Sequence, residues 1–442
     1  MAIYTQEELY EISRPVLDKI KVLFFVYFPS VWDSHRSIYE AMKASPSFEV
    51  YVFVAPVVDE HQQCRYREDI LEFFENEGID VILGCSLDIS IYINIQSLNM
   101  DVVFYQTPFY AGIPEWFPEN IAQHTYLAYV PYGIYTANIP DVQFNQIIHN
   151  VAWKVFAETP LHKELYAKYK LTGDRNVVVS GYPKLDIYTS HAHDTEYTST
   201  MCITPQTTPS KKRILWTPHW IVDTETKYTL FAEYIEFFID YLSQNTDSIE
   251  IILKPHPLLF GTLIKEGVYT KEELDHLLVQ FESLPNGSIY QGGNYFPLFF
   301  SSDAMINSSI SFIAEYLPTR KPMLFMPNKN DLGVNEFGEQ IRNKHYMGYS
   351  KQDIIDFINH VVIENNDPMY AEREEAIRTI FYMPEEGAGV RIKEEIERSM
   401  RQDKYWCRKQ KTLARRLRLE EKKAKANITT TQQEESLLDA CS

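Results

Sequence analysis

"IEIILKPHP", residues 249–257, joins an apolar run to a histidine held between two prolines. The run has the length of a strand buried on both faces. Pro255 and Pro257 cannot continue it, so the chain must turn there. The same punctuation ends strand after strand. "VVFY" runs into Gln106-Thr107-Pro108, "YLAYV" into Pro131-Tyr132-Gly133, and "ILW" into Thr217-Pro218-His219. Apolar runs that stop at proline elbows are the mark of an open parallel sheet, whose ligands bind outside the carboxyl ends of its strands.

Working outward, the first half reads as strand and helix in alternation. "KVLFFVYF" (21–28) is followed by a polar helical segment from Ser34 to Ala44, then by "FEVYVFVAP" (48–56). "YREDILEFFENEGID" (66–80) is an amphipathic helix closed near Gly78, and "VILG" follows. In the second half, "RILWTPHW" and "IEIILKPHP" flank a helix expected over about Lys227–Ser243. "DAMIN", the helix "SFIAEYLPT" and the strand "KPMLFM" come next. Alternation of this kind predicts parallel sheets with helices on both faces.

The expected fold class is therefore α/β, with two Rossmann-like domains. The acceptor-side domain is expected over 1–187, and a Ser/Thr/Pro-rich linker or surface loop over 188–212. A nucleotide-donor domain is expected over 213–400, and a basic helix with a polar tail over 401–442.

The composition narrows the function. The 442 residues are 45% hydrophobic and 23% charged, as in a globular protein with ample core material. A net charge of −19 speaks against nucleic acid as a partner, because phosphate repels such a surface. No apolar run approaches the roughly 18 residues of a membrane span. The acidic start is unlike a secretory signal, so the cytoplasm is the expected compartment. Five scattered cysteines suggest reduced thiols, and no metal-ligand spacing is present. Against the overall sign, residues 401–426 hold eleven Lys and Arg and three acids. There Trp406, Leu413 and Leu417 fall on one side of a basic helix, a pattern suited to an anionic membrane surface. Its plain alternative is a solvated helix.

Two constellations carry chemistry. His219 and His256 sit at matching elbows, where proline stiffens the loop. Ser308, Ser309 and Ser311 lie where a strand gives way to a helix, a position suited to phosphate. Capping alone would need one hydroxyl. Glu315, one turn later, is placed to reach a ribose hydroxyl, or is simply a solvated helix charge. The glycine fingerprint of dinucleotide folds, the Walker lysine motif and the nucleophile elbow of serine hydrolases are all missing.

Taken in order, "YQTPF", "SGYPKLD", "ILWTPHW", "LKPHPLL", "SSDAMINSSISFIAEYLPTRKPMLFM" and "EEGAGVRIKEEI" resemble the CDP-glycerol glycerophosphotransferase family, the teichoic-acid polymerase group with a GT-B fold. The resemblance spans roughly residues 100–400. It implies two domains facing a central cleft, a CDP-activated polyol as donor, and a polymer or lipid-linked acceptor. It implies no separate cofactor and no metal.

His256 then matches the histidine that contacts the donor phosphates, with Lys254 beside it. Ser311 matches the second serine of a pair, Glu315 the acid one turn on, and Arg391 a closing arginine. Two positions depart from the pattern. The aspartate before the serine pair is Ser308 here, and the first serine is Ile310. The first-domain Trp-His-Gly-Thr-Pro also has Tyr105 and Gln106 in its His-Gly places. The base is left among His219, His124 and Tyr105.

The resemblance implies teichoic-acid-like or capsule polysaccharide synthesis by a peripheral protein at the inner face of the cell membrane. Three rivals stand beside it: a GT-B glycosyltransferase using a nucleotide sugar, a nucleotide-sugar 2-epimerase, and a catalytically lapsed binding paralogue.

Overall fold

The computed structural model describes residues 1–58, 64–66, 68–85, 91–190, 211–223, 229–292, 294–328 and 333–420. The first sheet holds β1 (Ile20–Val26), β2 (Phe48–Val54), β3 (Val81–Leu83), β4 (Val102–Tyr105), β5 (Tyr126–Tyr129), β6 (Lys154–Ala157) and β7 (Val177–Val179). Its order is β3-β2-β1-β4-β5-β6-β7, parallel throughout. The second sheet holds β8 (Lys212–Thr217), β9 (Ile249–Leu253), β10 (Gly287–Ile289), β11 (Ala304–Asn307), β12 (Met323–Phe325) and β13 (Tyr346–Met347). Its order is β10-β9-β8-β11-β12-β13, again parallel. Both sheets therefore reverse their strand order once, between β1 and β4 and between β8 and β11. A crevice opens at such a reversal because the flanking connections leave toward opposite faces.

Strand alternation builds two core layers per sheet. On β1, Leu23 and Phe25 face one cluster, while Val22, Phe24 and Val26 face the other. On β8, Leu215 faces one layer and Ile214 and Trp216 the opposite one. All seven residues of β1 are buried, as a strand covered by helices on both sides must be. The strands that the apolar pattern did not single out, β6, β7, β10 and β13, are four residues or fewer, too short to show a period. The helix expected over Lys227–Ser243 runs from Leu230 to Gln244, and the Thr229 hydroxyl receives the Ala232 N–H at 2.9 Å as its cap.

The chain crosses between the sheets and returns. Residues 191–210 of the expected linker lie outside the described residues. The helix Ala388–Gln402, expected in the second domain, packs on the first: Ile392, Ile396 and Met400 share a core with β1. Helix 404–420 continues on that side, with Trp406 in the same core. The two crossings touch. Asp186 accepts the N–H groups of Ala388 and Gly389 at 2.7 and 2.8 Å, capping the returning helix. Gly181 has φ +84°, and a Cβ there would meet Pro384 Cδ at 2.8 Å, so glycine is required on both counts.

The apolar seam of the basic helix is spent on this docking. Trp406 and Leu413 are each 5% exposed. Gln410 Oε1 receives the Asp18 N–H, and Lys409 pairs with Asp101 at 2.9 Å. Two of the three seam residues thus face the protein, whereas Leu417 is 37% exposed on the basic outer side. No helix among the described residues is long and apolar enough to cross a membrane. Cys85 is disulfide-bonded, against the expectation of reduced thiols, because sequence spacing does not report which sulfurs a fold brings together.

Candidate active site

The three elbows of the second domain are tied into one frame by short polar groups. Thr217, ending β8, donates its hydroxyl to Asn307 Oδ1 at 2.8 Å. The same oxygen receives the Ser309 N–H at 2.7 Å, and Asn307 Nδ2 donates to the Ser309 carbonyl at 2.8 Å. Asn307 thus shapes the turn after β11. Ser308 Oγ accepts the His219 N–H at 2.8 Å, joining that turn to the elbow after β8. The His256 N–H reaches the Pro218 carbonyl at 3.3 Å, which adds the elbow after β9. Ser308 therefore helps to hold the loops together through a lone pair of its hydroxyl oxygen.

The frame sets two imidazoles edge to face, with ring centres 5.2 Å apart. His256 Nδ1 accepts the Leu258 N–H at 3.2 Å, so its neutral ring carries the proton on Nε2 and can donate there. Burial, with help from His219 and Lys254, pushes the His256 pKa down to about 3. Burial alone brings His219 down to about 4. Beside them Lys254 is 7% exposed, and among the described residues it has no carboxylate partner. Its amine donates only to the adjacent Pro255 carbonyl, at 3.3 Å. Burial first, then Lys184, lowers its pKa to about 8. A buried cation without a counter-ion is costly unless an anion arrives to pair with it.

A cleft of about 600 Å³ opens between the two domains at this point. Lys254, His256, Ser309, Ser311 and Glu315 all line it, with Lys184 and Tyr295 among them. Ser311 makes no capping bond to the helix it precedes, and its hydroxyl lies 3.3 Å from that of Ser309. The capping alternative therefore fails for Ser311. The helix itself, Phe312–Glu315, is a single turn, so hydroxyls and Lys254 must supply most of any phosphate contact.

Glu315 is not a solvated helix charge. It is 2% exposed, accepts a short hydrogen bond from Tyr295, and lies 3.5 Å from the Lys184 amine. Lys184 also donates to the Tyr295 hydroxyl and sits 4.7 Å over its ring. Lys184 belongs to the quoted "SGYPKLD", but nothing in that motif distinguishes it from a surface lysine. Its place emerges only once the first crossing is laid under the cleft.

Three sequence-predicted residues lie elsewhere. Tyr105 is 0% exposed, stacked on Phe25 at 4.6 Å in the first-domain core, so no acceptor can touch its hydroxyl. An inward pleat position sends the side chain into the sheet and away from its edge. Arg391 pairs with Glu386 at 2.9 Å and lies over Tyr382, on a helix that does not line the cleft. His124 lines a separate depression with Asn94 and Pro114. The first-domain wall of the cleft is made instead by Asp33 and Asp69, which sequence reading passed over, with Tyr132 of the quoted elbow. Among the described residues, no group of three or more His, Cys, Asp or Glu is placed to hold a metal ion.

Comparison with known proteins meets this geometry at the right place. Residues 138–333, from the first-domain loop beside the cleft to the far side of the serine turn, match the family described as CDP-glycerol:poly(glycerophosphate) glycerophosphotransferase. Those residues, fewer than half of the chain, are similar to CDP-glycerol glycerophosphotransferases. The chain shares its fold with the wall teichoic acid polymerase TagF at TM-score 0.57 and 15% identity, over 89% of this chain and 92% of that one. It is also similar to UDP-GlcNAc 2-epimerase from Neisseria meningitidis, at TM-score 0.55 and 14% identity, over 87% and 100%. Both likenesses concern the fold alone, and both agree with a GT-B arrangement of the chain. No curated protein matches it in sequence.

Proposed function

We propose that this chain transfers a polyol phosphate, glycerol phosphate foremost, from a CDP-activated donor to a hydroxyl of a cell-surface polymer or lipid-linked acceptor. The observation that carries the reading is Lys254, a desolvated and unpaired cation on a rigid elbow, facing a cleft beside a neutral imidazole and two serine hydroxyls. That set suits a diphosphate. The family match over 138–333 supports the choice of CDP-glycerol, and a variant of the TagF polymerase was soaked with CDPG in one structure of this fold.

The reaction joins an acceptor oxygen to the donor's β-phosphorus and expels cytidine monophosphate, which gains negative charge. Positioning and charge stabilisation dominate such transfers. His256 Nε2–H donates to a phosphate oxygen, and Lys254 faces the charge as it grows. Glu315, held by Tyr295 and Lys184, is offered to the donor's hydroxyl groups, on the ribose or the polyol.

Acceptors of this kind lie at a membrane. The outer face of helix 404–420, with Lys404, Arg408, Lys411, Arg415 and Arg418 all exposed, suits attraction to anionic lipid at the inner face of the cell membrane. Teichoic-acid-like or capsule synthesis is the setting this implies.

The test is nucleotide release. Purified protein with an acceptor is given CDP-glycerol, CDP-ribitol and UDP-sugars in turn. Release of CMP is expected. Release of UDP alone would move the chain to the nucleotide-sugar enzymes, and turnover with none of them would support a binding role.

A further inference from the structure

The donor side of the cleft is well supplied with donors of hydrogen bonds, but a transfer to a hydroxyl also needs somewhere for the proton to go. We infer that Asp33 is the general base that takes the proton from the acceptor hydroxyl. The inference rests on the transferase reading above and adds the residue that reading lacks.

Five observations carry it. Asp33 lines the same cleft as Lys254, His256 and Glu315, but from the first-domain wall. It opens the helix Asp33–Lys43 directly after β1, at the point where the first sheet reverses its order. That is where a doubly wound sheet presents side chains to ligand.

The carboxylate is also oriented. Arg36 Nε donates to Asp33 Oδ1 at 3.0 Å, and Arg36 itself is gripped by Glu77 through both of its terminal nitrogens, at 2.9 Å for one of them. One oxygen is thereby fixed in a residue that lines the cleft. The helix is braced in turn: Ser37 Oγ donates to the Pro183 carbonyl at 3.3 Å, and Gly389 packs so closely that a Cβ would meet the Ser37 carbonyl carbon at 2.5 Å.

Asp33 also acts across the cleft. Tyr295, on the opposite wall, has its phenol pKa held well up by burial first and Glu315 next, with smaller contributions from Tyr182 and Asp33. Finally, the other titratable groups of the first-domain wall are less suited. Tyr132 is a phenol pushed up by burial, and Asp69 is exposed. The imidazoles stand on the donor side, where the reading above assigns His256 to the donor phosphate.

The step balances without any further reagent. A lone pair of the acceptor hydroxyl forms the new O–P bond at the β-phosphorus. The bond from that phosphorus to the bridging oxygen breaks, and its electron pair leaves with CMP. The hydroxyl proton passes to Asp33 and then to water.

The test compares Asp33→Asn and Asp33→Glu with the unaltered full chain, measuring CMP release from CDP-glycerol with acceptor present. The expected result is a fall in kcat of about a hundredfold or more for Asp33→Asn, the range of general-base catalysis. CDP affinity and thermal unfolding should be unchanged, with partial recovery in Asp33→Glu. Arg36→Gln separates orientation from structure, since it should cost less rate than Asp33→Asn. Three results would overturn the assignment: a near-normal rate in Asp33→Asn, an equal loss in Asp69→Asn, or a loss in Asp33→Asn that follows a drop in unfolding temperature. If the unaltered chain releases no CMP, the transferase reading itself falls, and the base assignment with it.

Discussion

The elbow after β4 and the elbow after β9 are written in the same hand. Each is an apolar strand that runs into a proline; the first borders the point where its sheet reverses strand order, and the second lies one strand away from that point in its own sheet. Their side chains are spent in opposite ways. At the first, Tyr105 is sealed in the core. Gln106 is fully engaged with the backbone of the β1 loop, taking the Tyr27 and Phe28 N–H groups at 2.9 and 3.0 Å and returning a bond to the Phe28 carbonyl at 2.7 Å. At the second, Lys254 and His256 keep polar atoms that the protein itself leaves unused. The satisfied amide of Gln106 serves the scaffold, whereas Lys254 and His256 retain donors for a ligand beyond the one hydrogen bond each makes. The first elbow positions the loop that leads to Asp33, and the second supplies the charge.

The sharpest way to strain this contrast is at the cleft floor. Glu315→Ala removes one partner of a buried pair and strands Lys184, so urea unfolding should show a loss of about 3–5 kcal/mol together with weaker CDP binding. A stability within 0.5 kcal/mol of the unaltered chain would show that the pair is not desolvated. Next in size is His256→Ala. CMP release should fall about a hundredfold, equivalent to roughly 2.7 kcal/mol of transition-state stabilisation, with the unfolding temperature unmoved. Near-normal release would return the second elbow to scaffolding.

The Lys254 ammonium provides a gentler probe. Its charge attracts the diphosphate and is lost as pH rises through about 8, so CDP affinity should weaken on the alkaline side of that value. A bound diphosphate raises the amine's affinity for its proton, so calorimetry near pH 8 in buffers of different ionisation enthalpy should detect proton uptake on binding. Lys254→Gln should bind weakly at every pH and flatten the profile. A pH-independent affinity from 7 to 9 would contradict the assignment. The smallest effect belongs to the first elbow. Tyr105→Phe should leave CMP release within about twofold and stability within about 1 kcal/mol, because the hydroxyl touches no substrate. A large loss of rate there would make the two elbows equivalent after all.

Much of this was legible from residue order. Long apolar strands such as β1, β2 and β8 announce themselves by run length, and their proline elbows mark the edge where ligand binds. The direction of the side chain at that edge is harder to read. Tyr105 and His256 stand beside similar punctuation, and only the pleat and the packing decide which points inward. Lys184 and Asp33 were invisible for another reason. One arrives from the crossing between domains and the other from the opposite wall, so neither has a local pattern to betray it. The seam of Trp406 and Leu413 was seen correctly as an apolar stripe. What sequence could not say was that a protein surface would cover it.

That stripe has a consequence for how the chain is made. The core on the β1 face draws on Ile392, Ile396, Met400 and Trp406, residues that leave the ribosome more than 350 positions after β1 does. Domains ordinarily fold in the order of their synthesis. Here the half that is synthesised first must wait for the last stretch of chain before its interior closes. The second half can finish while the first is still open, so the molecule is completed at the end where it began.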